Sequence, residues 1–363
     1  MKKAKAIKII CALLSALLLL AALLVLSGRR TFKVSSVSGF SMNTPVHLSA
    51  AGPDPEKLDA ALQDALRILE NLNDRLSLYQ EDSLLSEVNK AGGLHPVQAG
   101  PEISTLLKEA AEICKLTGGS FNPLVGPLTR LWKINKREQG DYTLPTQASL
   151  DDVLPLVRIE NLSFVSPDQV FLRQKGCTLD LGGIAKGYAS LKIARHLASQ
   201  DIRSALIDLG GNIFALGAQP DGSPWKIGVR NPLDPGGDPI AALAVKDAAV
   251  ITSGSYERYR IVDGKRYSHL FNPATGYPVE NDLRSATVVS PNATLADALA
   301  TALMVMGLDR ASDFLESFLK EDPSLGVILV HQTSDGPSLA VTANLEDRLK
   351  VLSPGLTVTC IPK

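Results

Sequence analysis

Two short glycine signatures carry the groups in this chain best suited to phosphate chemistry. Asp180-Leu181-Gly182-Gly183-Ile184-Ala185-Lys186-Gly187-Tyr188 follows a β-like run at 177–179, and Asp208-Leu209-Gly210-Gly211-Asn212-Ile213 follows another at 205–207. Glycine lacks Cβ and reaches φ > 0, so paired glycines after a strand let backbone N–H groups approach a ligand, often a phosphate. Asp180 and Lys186 add an acid and a cation around the first pair, a combination suited to a phosphate, a metal or both. A tight turn in a sheet is the plain alternative for any single Gly-Gly, and recurrence weakens it. Neither copy has the spacing of a Walker loop or of a G-x-G-x-x-G dinucleotide fingerprint, so ordinary nucleotide folds are poor guides.

A second constellation is Asp297 and Thr301, four residues apart in Thr294-Leu295-Ala296-Asp297-Ala298-Leu299-Ala300-Thr301. On a helix they share one face, one turn apart. A carboxylate and a hydroxyl so placed offer hard oxygens to Mg²⁺, which fills its remaining positions with phosphate oxygens and water. The competing reading makes Thr294 an N-cap with Asp297 at N3, and makes Thr301 a back-bonder to a helix carbonyl. On spacing alone the cap is the commoner outcome, and both roles can coexist.

The third cluster is Ser253-Gly254-Ser255-Tyr256-Glu257-Arg258-Tyr259 with His269-Leu270-Phe271-Asn272-Pro273 to Pro278, where turn residues alternate with aromatics and cations. His269 suits a general base or a phosphate donor, because neutral imidazole is tunable near pH 7, although a lone His is more often bonded to a turn. Ser77-Leu78-Tyr79 and Gly118-Gly119-Ser120-Phe121-Asn122-Pro123 set aromatics beside polar loop residues, either as core or as stacking surfaces for a planar cofactor. With no G-x-S-x-G elbow and no H-E-x-x-H helix, acyl transfer and zinc proteolysis lose support.

These groups need a scaffold, and its pattern is mixed. Leu58, Leu62, Leu66, Leu69 and Leu72 predict an amphipathic helix over 56–76, and 103–116 predicts another, stopped by Gly118-Gly119. A strand is expected over 41–49, a polar connector over 141–155, a helix over 185–199 between the glycine signatures, and a surface loop over 232–239. Strand-like runs cluster from 164 to 251, helices follow at 294–306 and 311–319, and strands close the chain at 326–331 and 338–342. Strands mixed with helices but without a steady βαβ rhythm indicate an α+β fold of mixed, largely antiparallel sheets flanked by helices.

Residues 9–26 form an uncharged apolar run near the lower length limit for a bilayer span, preceded by Lys2, Lys3, Lys5 and Lys8. They predict an N-terminal signal or anchor segment, 1–31, with the chain beyond it on the extracytoplasmic side. The absence of a Cys just after the apolar run argues against a lipoprotein. Residues 32–363 are ample for one large domain, or for two interwoven halves near 32–160 and 161–363. Net charge is −1 without a basic stripe, which argues against nucleic acid. Four scattered Cys without a C-x-x-C pair argue against a zinc site or a disulfide scaffold.

In their order along the chain, these segments resemble the ApbE-type FAD:protein FMN transferases, once described as thiamine-biosynthesis lipoproteins. The stretches that carry the resemblance are Met42-Asn43-Thr44, Ser77-Leu78-Tyr79, Gly119 to Asn122 with Val125 to Leu128, Asp180 to Tyr188, Ser253 to Glu257 with His269 to Pro278, and Ala296-Asp297-Ala298 with Thr301. The resemblance implies a Mg²⁺-dependent enzyme that splits FAD, places FMN on a Thr or Ser hydroxyl of a target protein and releases AMP. It implies Asp297, Thr301 and the backbone carbonyl of Ala185 as metal ligands, so it favours ligand over cap at Asp297. It also implies Met42, Tyr79, Ser120, Phe121, Asn122, Asp180, Lys186, His269 and Leu270 as FAD contacts, with His269 assisting deprotonation of the acceptor hydroxyl. The acceptor it implies is an extracytoplasmic flavoprotein subunit with an Asp-Gly-x-Thr/Ser-like motif. Two departures stand out. Asn122 follows Phe121 where the family commonly has Asp, and Ser268-His269 stands where a double His is common. An FAD pyrophosphatase giving FMN and AMP, and a flavin-binding protein without turnover, are the alternative readings.

Overall fold

The computed structural model describes residues 32–134, 142–334 and 336–361. Nine strands form one sheet: Lys33–Ser41 (β1), Thr44–Gly52 (β2), Ser204–Leu209 (β3), Asn212–Gly217 (β4), Ala248–Gly254 (β5), Leu283–Ser290 (β6), Gly326–Thr333 (β7), Gly336–Thr342 (β8) and Thr357–Ile361 (β9). Their order across the sheet is their order along the chain, and every neighbouring pair is antiparallel except β8–β9. This is the expected α+β architecture, and strands from the first and second halves of the chain share the sheet through the β2–β3 pairing.

Five longer helices are Pro55–Leu76 (α1), Gly100–Leu116 (α2), Ala185–Ser199 (α3), Ala293–Met306 (α4) and Leu308–Glu321 (α5). The α1 helix starts where Asp54 accepts a hydrogen bond from Lys57 N at 3.2 Å and Pro55 fills the first turn. It buries Leu58, Leu62, Leu69 and Leu72 as one stripe. On one face of the sheet α1 covers β1 and β2, α3 covers β3 and β4, and α4 covers β5 and β6, each helix touching the next.

Residues that alternate along the central strands divide between two cores. Ala249, Ile251, Ala286, Val288, Val327 and Leu329 face the helices. Val250, Val289, Ile328, Val330, Leu339 and Val341 face a small antiparallel sheet of Trp225–Val229, Ala241–Val245 and Leu349–Val351. Both faces of the central strands are therefore buried, which is why those segments read as continuous apolar runs.

Three local expectations change. The strand expected over 41–49 is the start of β2 preceded by a two-residue hairpin turn, because Met42 and Asn43 take left-handed φ of 48° and 59°. The polar connector contains a helix, Gln147–Val153, capped by Thr146 accepting from Ser149 N at 3.2 Å. The cap of α4 is Asn292, not Thr294: its Oδ1 accepts from Thr294 N at 3.1 Å and Leu295 N at 3.3 Å. The predicted anchor, 1–31, lies outside the described residues. Among those described, no helix is long and apolar enough to cross a membrane.

Candidate active site

The site forms where α3 crosses α4. Asp297 is 3% exposed, and its Oδ2 accepts from Gly187 N of the neighbouring helix at 2.8 Å. With Asn292 satisfying its own helix terminus, Asp297 is free of capping duty. Gly187 makes the close crossing possible, since a Cβ there would sit 2.6 Å from Asp297 Cβ and would overlap the Ala293 carbonyl. Burial holds the Asp297 carboxyl above the usual carboxylate range, opposed by the Lys186 charge and the Gly187 N–H. The Asn212 amide also faces this carboxylate and favours its charged form, although Asn212 Nδ2 has no partner within hydrogen-bonding distance. A buried acid with so few donors is suited to a cation.

Thr301, one turn along α4, has its Oγ1 3.4 Å from Ser253 Oγ at the end of β5. A Cβ on Gly183 would lie 2.9 Å from Thr301 Oγ1 and 3.5 Å from Phe121 Cε2. Gly183 thus admits the Thr301 hydroxyl and the Phe121 ring, a Cβ on Gly182 would meet only Asp180 Oδ1 at 3.2 Å, and neither is among the glycines with positive φ. The second pair is the tight turn: Gly210 and Gly211 take φ of 67° and 90°, close the β3–β4 hairpin, and Gly211 N donates to Asp208 Oδ1 at 2.7 Å. That hairpin tip abuts the β1–β2 tip, since a Cβ on Gly210 would overlap Thr44 Oγ1.

Asp180 is organised by its neighbours, accepting from Gly182 N at 3.0 Å and from Thr129 Oγ1 at 2.9 Å. Lys186 follows Ala185, the first residue of α3, in a helix start with no side-chain cap. Met42 N donates to Asn73 Oδ1 at 3.1 Å near the end of α1, and Tyr79 follows that same helix end with its side chain exposed. Asn122 is buried and fully engaged: Nδ2 donates to Val157 O and Oδ1 accepts from Leu124 N, both at 2.8 Å. Aspartate could not make the first of these bonds, so Asn at this position suits the loop. Of the 120–122 stretch, Phe121 reaches Gly183, while Ser120 and Asn122 line a separate cavity of about 230 Å³.

His269 Nδ1 lies 3.0 Å from the Arg258 carbonyl. A carbonyl only accepts, so Nδ1 carries the proton and Nε2 is left bare. Burial, followed by the charges of Arg258 and Lys186, outweighs that hydrogen bond and pushes His269 down to about 4, so its ring is neutral at pH 7. Leu270 is buried beside it, with its N–H donating to Ser268 Oγ at 3.0 Å.

The sequence did not single out Glu257, Thr129 or Asn212. Glu257 reaches solvent, yet burial raises its carboxyl against the pull of Lys186, Arg258 and Arg230, and Asp297 adds to the rise. Its only sequence marker was membership of the third cluster, whereas Asn212 directly follows the second glycine pair.

One buried carboxylate, hydroxyls, a lysine and a bare imidazole nitrogen at a helix crossing define a class of site suited to phosphoryl chemistry. The chain belongs to the ApbE family, whose model matches residues 42–325. It is 34% identical over 310 residues to the FAD:protein FMN transferase of Treponema pallidum, covering 82% of this chain and 83% of the relative. To that of Vibrio cholerae it is 32% identical over 322 residues, covering 88% and 94%. The solved flavin transferase ApbE from Vibrio cholerae aligns with a TM-score of 0.77 at 30% identity, covering 87% of this chain and 99% of that one. The ApbE protein of Thermotoga maritima aligns at 0.73 and 30%, covering 82% and 94%.

Proposed function

We propose that the protein transfers the FMN moiety of FAD to a Thr or Ser hydroxyl of a target protein and releases AMP. The observation that carries this reading is the convergence of Asp297, Thr301 and glycine-bared backbone at one helix crossing. Named relatives with the same activity, matched over most of both chains, support it.

The donor set fits Mg²⁺: Asp297, Thr301 and the backbone carbonyl of Ala185 would hold it, and all are hard oxygens. Among the described residues no group of three or more His, Cys, Asp or Glu is placed to hold a metal ion, and this donor set mixes side-chain and backbone oxygens instead. When bound, Mg²⁺ neutralises charge on the phosphoryl oxygens.

Met42, Tyr79, Ser120, Phe121, Asn122, Asp180, Lys186, His269 and Leu270 would form the FAD site. Asn122 contributes there through its loop, because its side chain is already engaged. In the reaction the acceptor hydroxyl oxygen attacks the FMN phosphorus, the bond from that phosphorus to the bridging oxygen breaks, and the hydroxyl proton passes to His269 Nε2. AMP leaves with the bridging oxygen. The negative diphosphate raises the basicity of His269 from its low resting value, matching it better to proton abstraction. Residues 1–31 would anchor the chain, and the domain 32–363 would act on the extracytoplasmic side upon a flavoprotein subunit with an Asp-Gly-x-Thr/Ser-like motif.

The test incubates residues 33–363 with FAD, Mg²⁺ and a domain bearing Asp-Gly-x-Thr-Gly-Ala-Thr, followed by intact mass. The expected result is a gain of one FMN on the acceptor, lost when its Thr is replaced or Mg²⁺ is chelated. AMP without acceptor modification would establish a pyrophosphatase instead, and bound flavin with neither product would establish a binding protein.

A further inference from the structure

Two adjoining cavities lie beyond the helix crossing. The larger, of about 400 Å³, is bounded by the Lys265–Ser268 strand, the 272–281 loop and the end of α4. The smaller, against Ser120, Asn122 and Arg158, shares Asn272 and Arg310 with it, whereas the larger is a trough with no residue of the FAD or metal groups in its lining. Val305 belongs to the lining of the larger cavity and sits one helical turn, about 6 Å, beyond Thr301 on the same face of α4. One end of the trough therefore lies about one helical turn from Thr301 along α4.

Its charge is one-sided. Lys265 is paired with Glu280 at 2.6 Å. Arg266 lies over the Tyr259 ring, 4.1 Å from its centroid, and pairs with no carboxylate among the described residues. Arg310 likewise has no carboxylate partner among the described residues. Two uncompensated guanidinium groups thus border a trough on a chain whose net charge is only −1. Arginine prefers carboxylate and phosphate partners in this forked geometry.

We infer that this trough docks an extended acidic segment of the acceptor protein, flanking the residue that receives FMN. The inference rests on the transferase reading and adds where, and through what chemistry, the acceptor is held. Charge complementarity selects an acidic partner, and the path along α4 from Thr301 brings the bound segment to the reacting atoms. Arg266 and Arg310 lie outside the groups assigned to FAD and metal, so reversing them separates acceptor binding from flavin chemistry.

The experiment compares the wild-type domain with the Arg310→Glu and Arg266→Glu/Arg310→Glu variants. Three quantities are read: KM for FAD, KM for the acceptor domain, and Kd for an acceptor whose Thr is replaced by Ala. The double variant is expected to raise the acceptor KM and Kd about tenfold or more at low salt while leaving the FAD KM unchanged. High salt should weaken wild-type acceptor binding toward the variant level. Unchanged acceptor KM and Kd overturn the inference while leaving the transferase reading intact. A raised FAD KM with unchanged acceptor binding also overturns it, by assigning the trough to the nucleotide. A wild-type domain that releases AMP yet neither binds nor modifies the acceptor overturns the transferase reading, and this inference with it. An unchanged FAD KM also shows that the variants are folded.

Discussion

Replacing Gly183 by alanine isolates what this glycine does beside Thr301. The added Cβ would sit 2.9 Å from Thr301 Oγ1 and 3.4 Å from Thr301 Cγ2. Ordinary contact begins near 3.4 Å, so the Thr301 hydroxyl must retreat by about half an ångström. Overpacking of this kind costs about 1–3 kcal/mol, and the reduced freedom of the unfolded chain returns about 0.4–1 kcal/mol, since φ at Gly183 is not in the left-handed region. The net loss of about 1–2 kcal/mol leaves a domain of this size folded, with a melting temperature lower by only a few degrees. Metal ligation tolerates about 0.2 Å, so the same displacement should raise the Mg²⁺ concentration for half-maximal AMP release at least tenfold, equivalent to about 1.4 kcal/mol. AMP release titrated with Mg²⁺, beside calorimetry on the same samples, reads both numbers. A folded variant with the wild-type Mg²⁺ midpoint and rate would refute the assignment of Thr301 and the account of Gly183.

Asp297→Asn keeps an oxygen for the Gly187 N–H and removes a buried charge. The folded carboxyl is raised, so its ionised form costs stability at neutral pH. The metal-free variant should therefore melt no lower than wild type, while its Mg²⁺-induced rise in Tm and its AMP release both vanish; a retained Mg²⁺ response would remove Asp297 from the metal site. For His269, the unfolded imidazole titrates near 6.5 and the folded one at about 4, so the unfolded chain takes up the extra proton between those values. Wild-type stability should fall as pH drops through that window, and His269→Gln should flatten the fall; parallel curves would show that His269 is not held neutral. Glu102 accepts from Arg75 Nη1 at 2.7 Å, from the Tyr188 hydroxyl at 3.0 Å and from Lys192, joining α2 to α1 and α3. Glu102→Ala should cost about 1–3 kcal/mol in chemical denaturation with kcat for AMP release unchanged, and a change in kcat without loss of stability would contradict a purely structural role.

Much of the scaffold was legible because single segments carry their own periodicity. The leucine stripe of α1 and the apolar runs of β6 and β7 state their burial locally. The turn at Met42-Asn43 was not legible, since residues on either side continue the strand alternation and only backbone dihedrals reveal the reversal. Motif order, which includes only the first glycine signature, gave the family, while the Gly-Gly recurrence by itself suggested ligand-facing backbone at both. Gly210-Gly211 is a hairpin turn, whereas Gly183 makes room for side chains that arrive from α4 and from the 118–122 loop.

Sequence by itself determined the alternation of apolar and polar residues, the helix stripes, the placement of one acid and one hydroxyl a turn apart, and the order of motifs that marks the ApbE family. These are local properties, set by neighbours within one or two turns of chain. Tertiary structure alone decided whether Asp297 caps its own helix or turns to another. Asn292 takes the cap, Gly187 lets α3 approach, and the Gly187 N–H arrives from 110 positions away. It alone fixed the histidine tautomer through the Arg258 carbonyl, and it alone joined Asn272, Val305 and Arg310 into one trough. Such outcomes depend on distances between segments remote in the chain, and those are set by the packing of helices on a shared sheet.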